Sequence, residues 1–137
     1  HYNSGNMQSL QKRLAGGDDV VWITVISSAP GEQGYVTADA ANELTTSRKA
    51  APDYVVLDPA GDIGRLYAAK TTPHMFVIDE SQIVKYAGAI DSIPTSNQND
   101  IARAENYVEL AMRSLRDGKA VVTKQTQPYG CSVKYAK

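Results

Sequence analysis

One cysteine, Cys131, stands among the 137 residues. A lone thiol excludes an internal disulfide and any zinc site built from cysteines. Charge of one sign is also missing. Fourteen Lys and Arg against 15 Asp and Glu leave a formal charge of −1, with no basic block to neutralise phosphates, so a nucleic-acid partner is excluded. The longest apolar run, Val20 to Ile26, is interrupted by Thr24 and falls far short of the ~18 residues of a membrane span. No G-x-x-x-x-G-K-[ST] phosphate loop, G-x-G-x-x-G fingerprint or G-x-S-x-G elbow occurs, which removes the common nucleotide and serine-hydrolase motifs. His1 and His74 are the only histidines. They lie far apart without acidic neighbours at ligand spacing, so neither a metal nor a cofactor is expected.

What is present reads as one ordinary globular domain, 1–137, with 119–137 as a C-terminal tail of no clear period. The hydrophobic share is 42% and the charged share 21%, and no repeat, low-complexity tract or linker divides the chain. Met7, Leu10 and Leu14 step at three and four and predict a helix. Gly16 and Gly17 are expected to end it in the left-handed conformation of a C-cap. Val20 to Ile26 is β-branched and apolar on both faces, which predicts an interior strand covered on each side. Thr37 is placed to cap a helix over Ala38 to Lys49. Tyr54 to Leu57 predicts a short strand, Asp58 to Asp62 a turn, and Ile63 to Ala69 a short helix. His74–Ile78 and Ile83–Ala87, joined by the polar Asp79–Gln82, predict a hairpin. Ile101, Ala104, Val108, Ala111 and Leu115 share one helical stripe, so a helix over 100–117 is expected, with Asp100 as cap and Gly118 as terminator. Alternation of this kind argues for an α/β layer with a mixed sheet and helices on both faces.

Three places could carry chemistry. The acidic pairs Asp18–Asp19 and Asp79–Glu80 sit where turns want polar residues and read as solvated turns. Thr71-Thr72-Pro73 immediately before a strand is more informative. Proline cannot donate to a ladder, so at a strand's entry it marks a turn or a cis bond. A cis Thr72–Pro73 bond would turn the backbone of Thr72 outward, available to an extended peptide; a trans proline that merely starts the strand is the bland alternative. Cys131 lies in Pro128-Tyr129-Gly130-Cys131-Ser132, a small and polar setting that suits an accessible thiol, with Lys134 close in sequence. An incidental tail cysteine is the competing reading.

Taken together, these segments have a familiar arrangement. Thr71 to Asp79 followed by Ile83 to Asp91 resembles the cis-proline strand and hairpin of thioredoxin-like redoxins, in particular the peroxiredoxin/thiol-specific-antioxidant branch found among bacterial thioredoxin-family proteins. Leu57-Asp58-Pro59 with Gly64-Arg65-Leu66-Tyr67 is similar to that group's inserted strand and helix. His1 to Met7 resembles the middle of its first helix, and Pro128 to Tyr135 its tail. The resemblance implies a thioredoxin-like fold and thiol chemistry, the reduction of a peroxide or a disulfide at the expense of a thiol reductant. It implies that Thr72 and Pro73 shape the substrate-binding wall and that Cys131 is a resolving thiol. It also carries a departure: the family's Cys-Pro motif and the strand before it run into the His-Tyr that opens this sequence, so the nucleophile is expected upstream of His1 and the present chain is expected to be inactive by itself. The natural protein is accordingly expected to be longer, with a periplasmic or otherwise extracytoplasmic location, or a cytoplasmic one. The alternatives are a non-catalytic thioredoxin-like binding module that holds an extended partner, and a copper-handling relative that adds a histidine such as His74 to its thiols.

Overall fold

The computed structural model describes residues 1–137 and resolves two compact units, His1–Ala69 with Val133–Lys137, and Lys70–Ser132. The architecture is mixed α/β, with three two-stranded sheets in place of the single mixed sheet expected. No helix is long and apolar enough to cross a membrane.

The first unit begins with α1, Asn6–Ala15. Its stripe of Met7, Leu10 and Leu14 is buried as the spacing requires, and Gln11, buried among them, accepts the Ala51 N–H at 2.7 Å. Gly16 closes the helix in the right-handed region, φ −76°, not the left-handed one expected. Glycine is needed there for room, since a Cβ would land on the Lys12 carbonyl. Strand β1, Ile23–Ile26, pairs in parallel with β2, Tyr54–Leu57, and Ile23 lies opposite Tyr54. Between them in sequence is α2, Ala38–Ser47, whose cap is the expected one: the Thr37 hydroxyl accepts the Ala40 N–H at 3.2 Å.

One face of the β1–β2 pair, carrying Thr24, Ile26 and Val55, meets Ala41 and Leu44 of α2 around a cavity of about 60 Å³. The other face is open. Ile23 is 56% exposed and Tyr54 63%, so the expectation of a strand buried on both sides fails. Continuous hydrophobicity reports what a strand can bury, and only one of these faces has a helix against it here.

Helix α3, Asp62–Leu66, follows Gly61, which is left-handed at φ 78°. The C-terminal residues pack on it. The Tyr135 ring lies against Gly61 and Gly64, so close that a Cβ on Gly64 would sit 2.6 Å from its hydroxyl oxygen. That hydroxyl donates to the Ala69 carbonyl at 2.7 Å, and the Arg65 guanidinium lies 4.9 Å from the ring centroid.

The second unit holds β3 (Thr71–Thr72), the hairpin β4 (Met75–Ile78) and β5 (Val84–Gly88), α4 (Tyr107–Arg116) and β6 (Cys131–Ser132). The hairpin turn forms because the Asp79 carboxylate accepts both the Ser81 and Ile83 N–H groups, an Asx-type turn. The acidic pair there is thus turn structure, as read. Val77 and Tyr86, opposite each other in register, are buried with Val108 and Ala111 of α4.

That helix is shorter than expected. Asp100 closes a 3-10 turn, Gln98–Asp100, and its carboxylate is spent on Thr95 at 2.6 Å and on Arg103. The following chain is drawn out into a bridge, with Ser92 N–H donating to the Glu105 carbonyl and Tyr107 N–H to that of Ile90. Ile101 and Ala104 therefore precede the helix, and Asn106 caps it by accepting the Glu109 N–H at 2.9 Å.

Nor is the segment after α4 loose. The Thr126 hydroxyl accepts the Ala89 N–H at 2.9 Å and meets the Tyr86 hydroxyl at 2.6 Å, while the Ala87 N–H donates to the Lys124 carbonyl.

Candidate functional site

Thr72, Pro73 and Cys131, singled out from two distant parts of the sequence, meet in the second unit. β3 and β6 run antiparallel with Thr71 opposite Ser132 and Thr72 opposite Cys131. The strand lying across Thr72 is thus the chain's own. The Thr72–Pro73 bond is cis, as expected. The Thr71 hydroxyl donates to the Pro73 carbonyl at 2.8 Å and so fastens the turn from within.

Gly130 makes the approach possible. Its φ of +131° belongs to glycine, and a Cβ there would overlap the Thr72 carbonyl and stand 3.4 Å from the Pro73 nitrogen. Just before it, the Tyr129 hydroxyl donates to the buried Asp91 carboxylate at 2.5 Å. Burial first, and then the adjacent Asp91 acceptor and its charge, push the Tyr129 phenol well above its ordinary value, so it stays a donor. The Asp91 carboxylate also accepts the Ile93 N–H at 3.2 Å. Cys131 therefore follows an anchored tyrosine and a position that only glycine fits, and it is exposed.

His74 stands at the start of β4. Its Nδ1 accepts the Lys70 N–H at 3.0 Å, which leaves the proton of the neutral ring on Nε2. The ring stacks on Phe76 at 4.6 Å. Partial burial, and secondarily the positive Lys70, hold its pKa below the usual histidine value, so it is neutral at pH 7. As a metal ligand it would have Nε2 alone, and no group of three or more His, Cys, Asp or Glu side chains gathers around it or elsewhere.

Sequence reading found the residue types at this site but missed Asp91 and Tyr129. No local pattern links these two; their bond spans 38 positions. The Lys134 backbone is engaged in the other unit, where its carbonyl accepts the Ala29 N–H at 2.8 Å.

No family model and no curated protein matches the chain. Its fold is shared by solved structures, two of which are the following. A hypothetical protein, SMc02350 from Sinorhizobium meliloti 1021, superposes with a TM-score of 0.81 at 20% identity, covering 97% of this chain and 70% of that one. An uncharacterized conserved protein from Geobacillus kaustophilus gives 0.78 at 18% identity, covering 98% and 69%. At such identities the likeness concerns the fold. The chain is a mixed α/β protein with the fold of these two bacterial structures.

Proposed function

We propose that this chain is the scaffold of a thioredoxin-like thiol redoxin that reduces a peroxide or disulfide. Cys131 is its resolving thiol, and the nucleophilic cysteine lies on a segment preceding His1. The observation that carries this reading is the pairing of Cys131 with Thr72. The one thiol of the chain lies across the Thr-Thr-Pro turn that the sequence resemblance assigns to the substrate wall.

With a peroxide, the upstream thiolate attacks the O–O bond, releasing water or an alcohol and becoming a sulfenic acid. The Cys131 thiolate then attacks that sulfur, expelling hydroxide, which leaves as water after protonation, and a disulfide forms. An external dithiol reductant restores both thiols by exchange. With a disulfide substrate, the upstream thiolate forms a mixed disulfide and Cys131 resolves it, releasing the substrate thiolate. In both routes two electrons come from the thiol pair and are replaced by the reductant. The β3–β6 ladder has only two residue pairs, so releasing Cys131 toward its partner sulfur costs little.

The test is Cys131→Ser in the natural-length protein, with turnover of hydrogen peroxide and of a small disulfide followed under a dithiol reductant. Turnover should fall at least tenfold at limiting dithiol and recover in part as the reductant is raised to large excess, because an external thiol can then resolve the intermediate. Unchanged turnover would refute the resolving role.

A further inference from the structure

The second unit has a concavity away from Cys131, between the start of β5 and the segment leaving α4, with a volume of about 300 Å³. Its floor is Leu115 with the buried Val121, and its wall is Ile83 and Val84. Ile83 is 53% exposed and Val84 45%, so apolar surface is left open to solvent inside a concave site. Around it stand Lys85, Lys119 and Lys124, with no acidic residue in the lining. Lys85 leans 3.6 Å from the Asp79 carboxylate, and Lys119 and Lys124 have no carboxylate partner. Both are held at their backbones, Lys119 through its N–H to the Ser114 carbonyl at 2.8 Å and Lys124 through its carbonyl to the Ala87 N–H at 3.0 Å. The neighbourhood is strongly cationic in a chain whose net charge is −1.

We propose that this groove binds a free alkyl carboxylate of medium chain length, its carboxylate between Lys119 and Lys124 and its chain on Ile83, Val84, Leu115 and Val121. The apolar floor argues against a bare phosphate or nucleotide, which would call for clustered backbone N–H groups or the forked donors of arginine. A volume at the small end of ligand sites suits a chain of about eight carbons. Two ammonium groups with unspent charge supply orientation, and the apolar contact supplies affinity. The site is independent of the thiol chemistry proposed above.

The experiment is a titration of the full chain by two-dimensional ¹H–¹⁵N NMR at fixed ionic strength with octanoate, hexanoate, acetate and 1-octanol. Octanoate should shift the amides of residues 83–85 and 119–124 saturably. Each buried methylene contributes about fourfold, so hexanoate should bind about 16-fold more weakly. Lys119→Gln with Lys124→Gln should weaken octanoate at least tenfold while leaving 1-octanol unchanged. The dispersion of the spectrum reports whether the double variant folds, and the single variants carry the same test at smaller amplitude. Shifts that acetate reproduces, affinity independent of chain length, or octanoate binding untouched by the lysine changes would each overturn the proposal. So would association with vesicles of anionic phospholipid in the absence of any octanoate binding.

Discussion

Replacing Gly130 with alanine probes the candidate site without touching its chemical groups. The Cβ would overlap the Thr72 carbonyl, a backbone group that cannot swing aside as a side chain would, and such overpacking costs about 1–3 kcal/mol. An L-residue at φ +131° adds strain of the order of 1–3 kcal/mol. Against this, the ladder between β3 and β6 comprises two residue pairs, whose backbone hydrogen bonds return about 0.5–1.5 kcal/mol each. The strain therefore exceeds what the ladder contributes, and the cheaper response is to release β6 rather than to unfold the unit. Hydrogen exchange resolved to peptides should show residues 129–132 and 71–72 losing protection by at least tenfold. Peptides covering Val77, Tyr86 and α4 should keep theirs, and the melting temperature should move by only a few degrees. Unchanged protection at 71–72 and 129–132 would refute the claim that Gly130 seats Cys131 against Thr72.

Two further outcomes follow from groups outside the site. Burial alone would raise the Asp58 carboxyl, but the Gly64 N–H at 2.9 Å, the Ser27 hydroxyl at 2.7 Å and the backbone N–H groups of Ile63 and Asp62 together outweigh it and hold the pKa below the ordinary carboxylate value. Its stabilisation is therefore present above the unfolded-state pKa and is lost as pH falls through the lower folded one; Ser27→Ala should cost about 1.5–3 kcal/mol near neutrality, with the deficit shrinking at acid pH, and a deficit independent of pH in denaturant titrations would contradict this. Asn106→Ala removes the cap of α4 and should cost about 1 kcal/mol, whereas Asp100→Ala should leave the helix start unchanged, both measurable by denaturation and amide exchange across 106–110.

The elements read correctly from sequence were those whose signal is local. Strand β2 has its observed bounds because a β-branched run sits between Pro52 and the Asp58–Pro59 turn, and the Thr37 cap is a single-residue decision. The failures came where distant chain decides. Ile101 and Ala104 continue the period of Val108, yet hydrogen bonds from residues 105–107 to 90–92 extend the backbone between them. Val20 to Ile26 is apolar enough for two covered faces, but the pattern cannot say whether a second cover exists. At the site, Thr72, Pro73 and Cys131 were legible as types. The Asp91–Tyr129 tie was not, since a buried carboxylate and a tyrosine make no pattern until folding joins them. The tail showed no period for the same reason: the bonds that hold it to Tyr86, Ala87, Ala89 and Asp91 are long-range.

The resolving role proposed for Cys131 makes the disulfide state of the oxidised protein decisive. The most direct measurement is a disulfide map of the natural-length protein by peptide mass spectrometry after one equivalent of hydrogen peroxide, with free thiols blocked before digestion. A resolving Cys131 should give one intramolecular linkage between Cys131 and a cysteine preceding His1, absent from the reduced sample and from Cys131→Ser. An oxidised protein in which Cys131 remains free while the upstream cysteine carries sulfenic or sulfinic acid would contradict it.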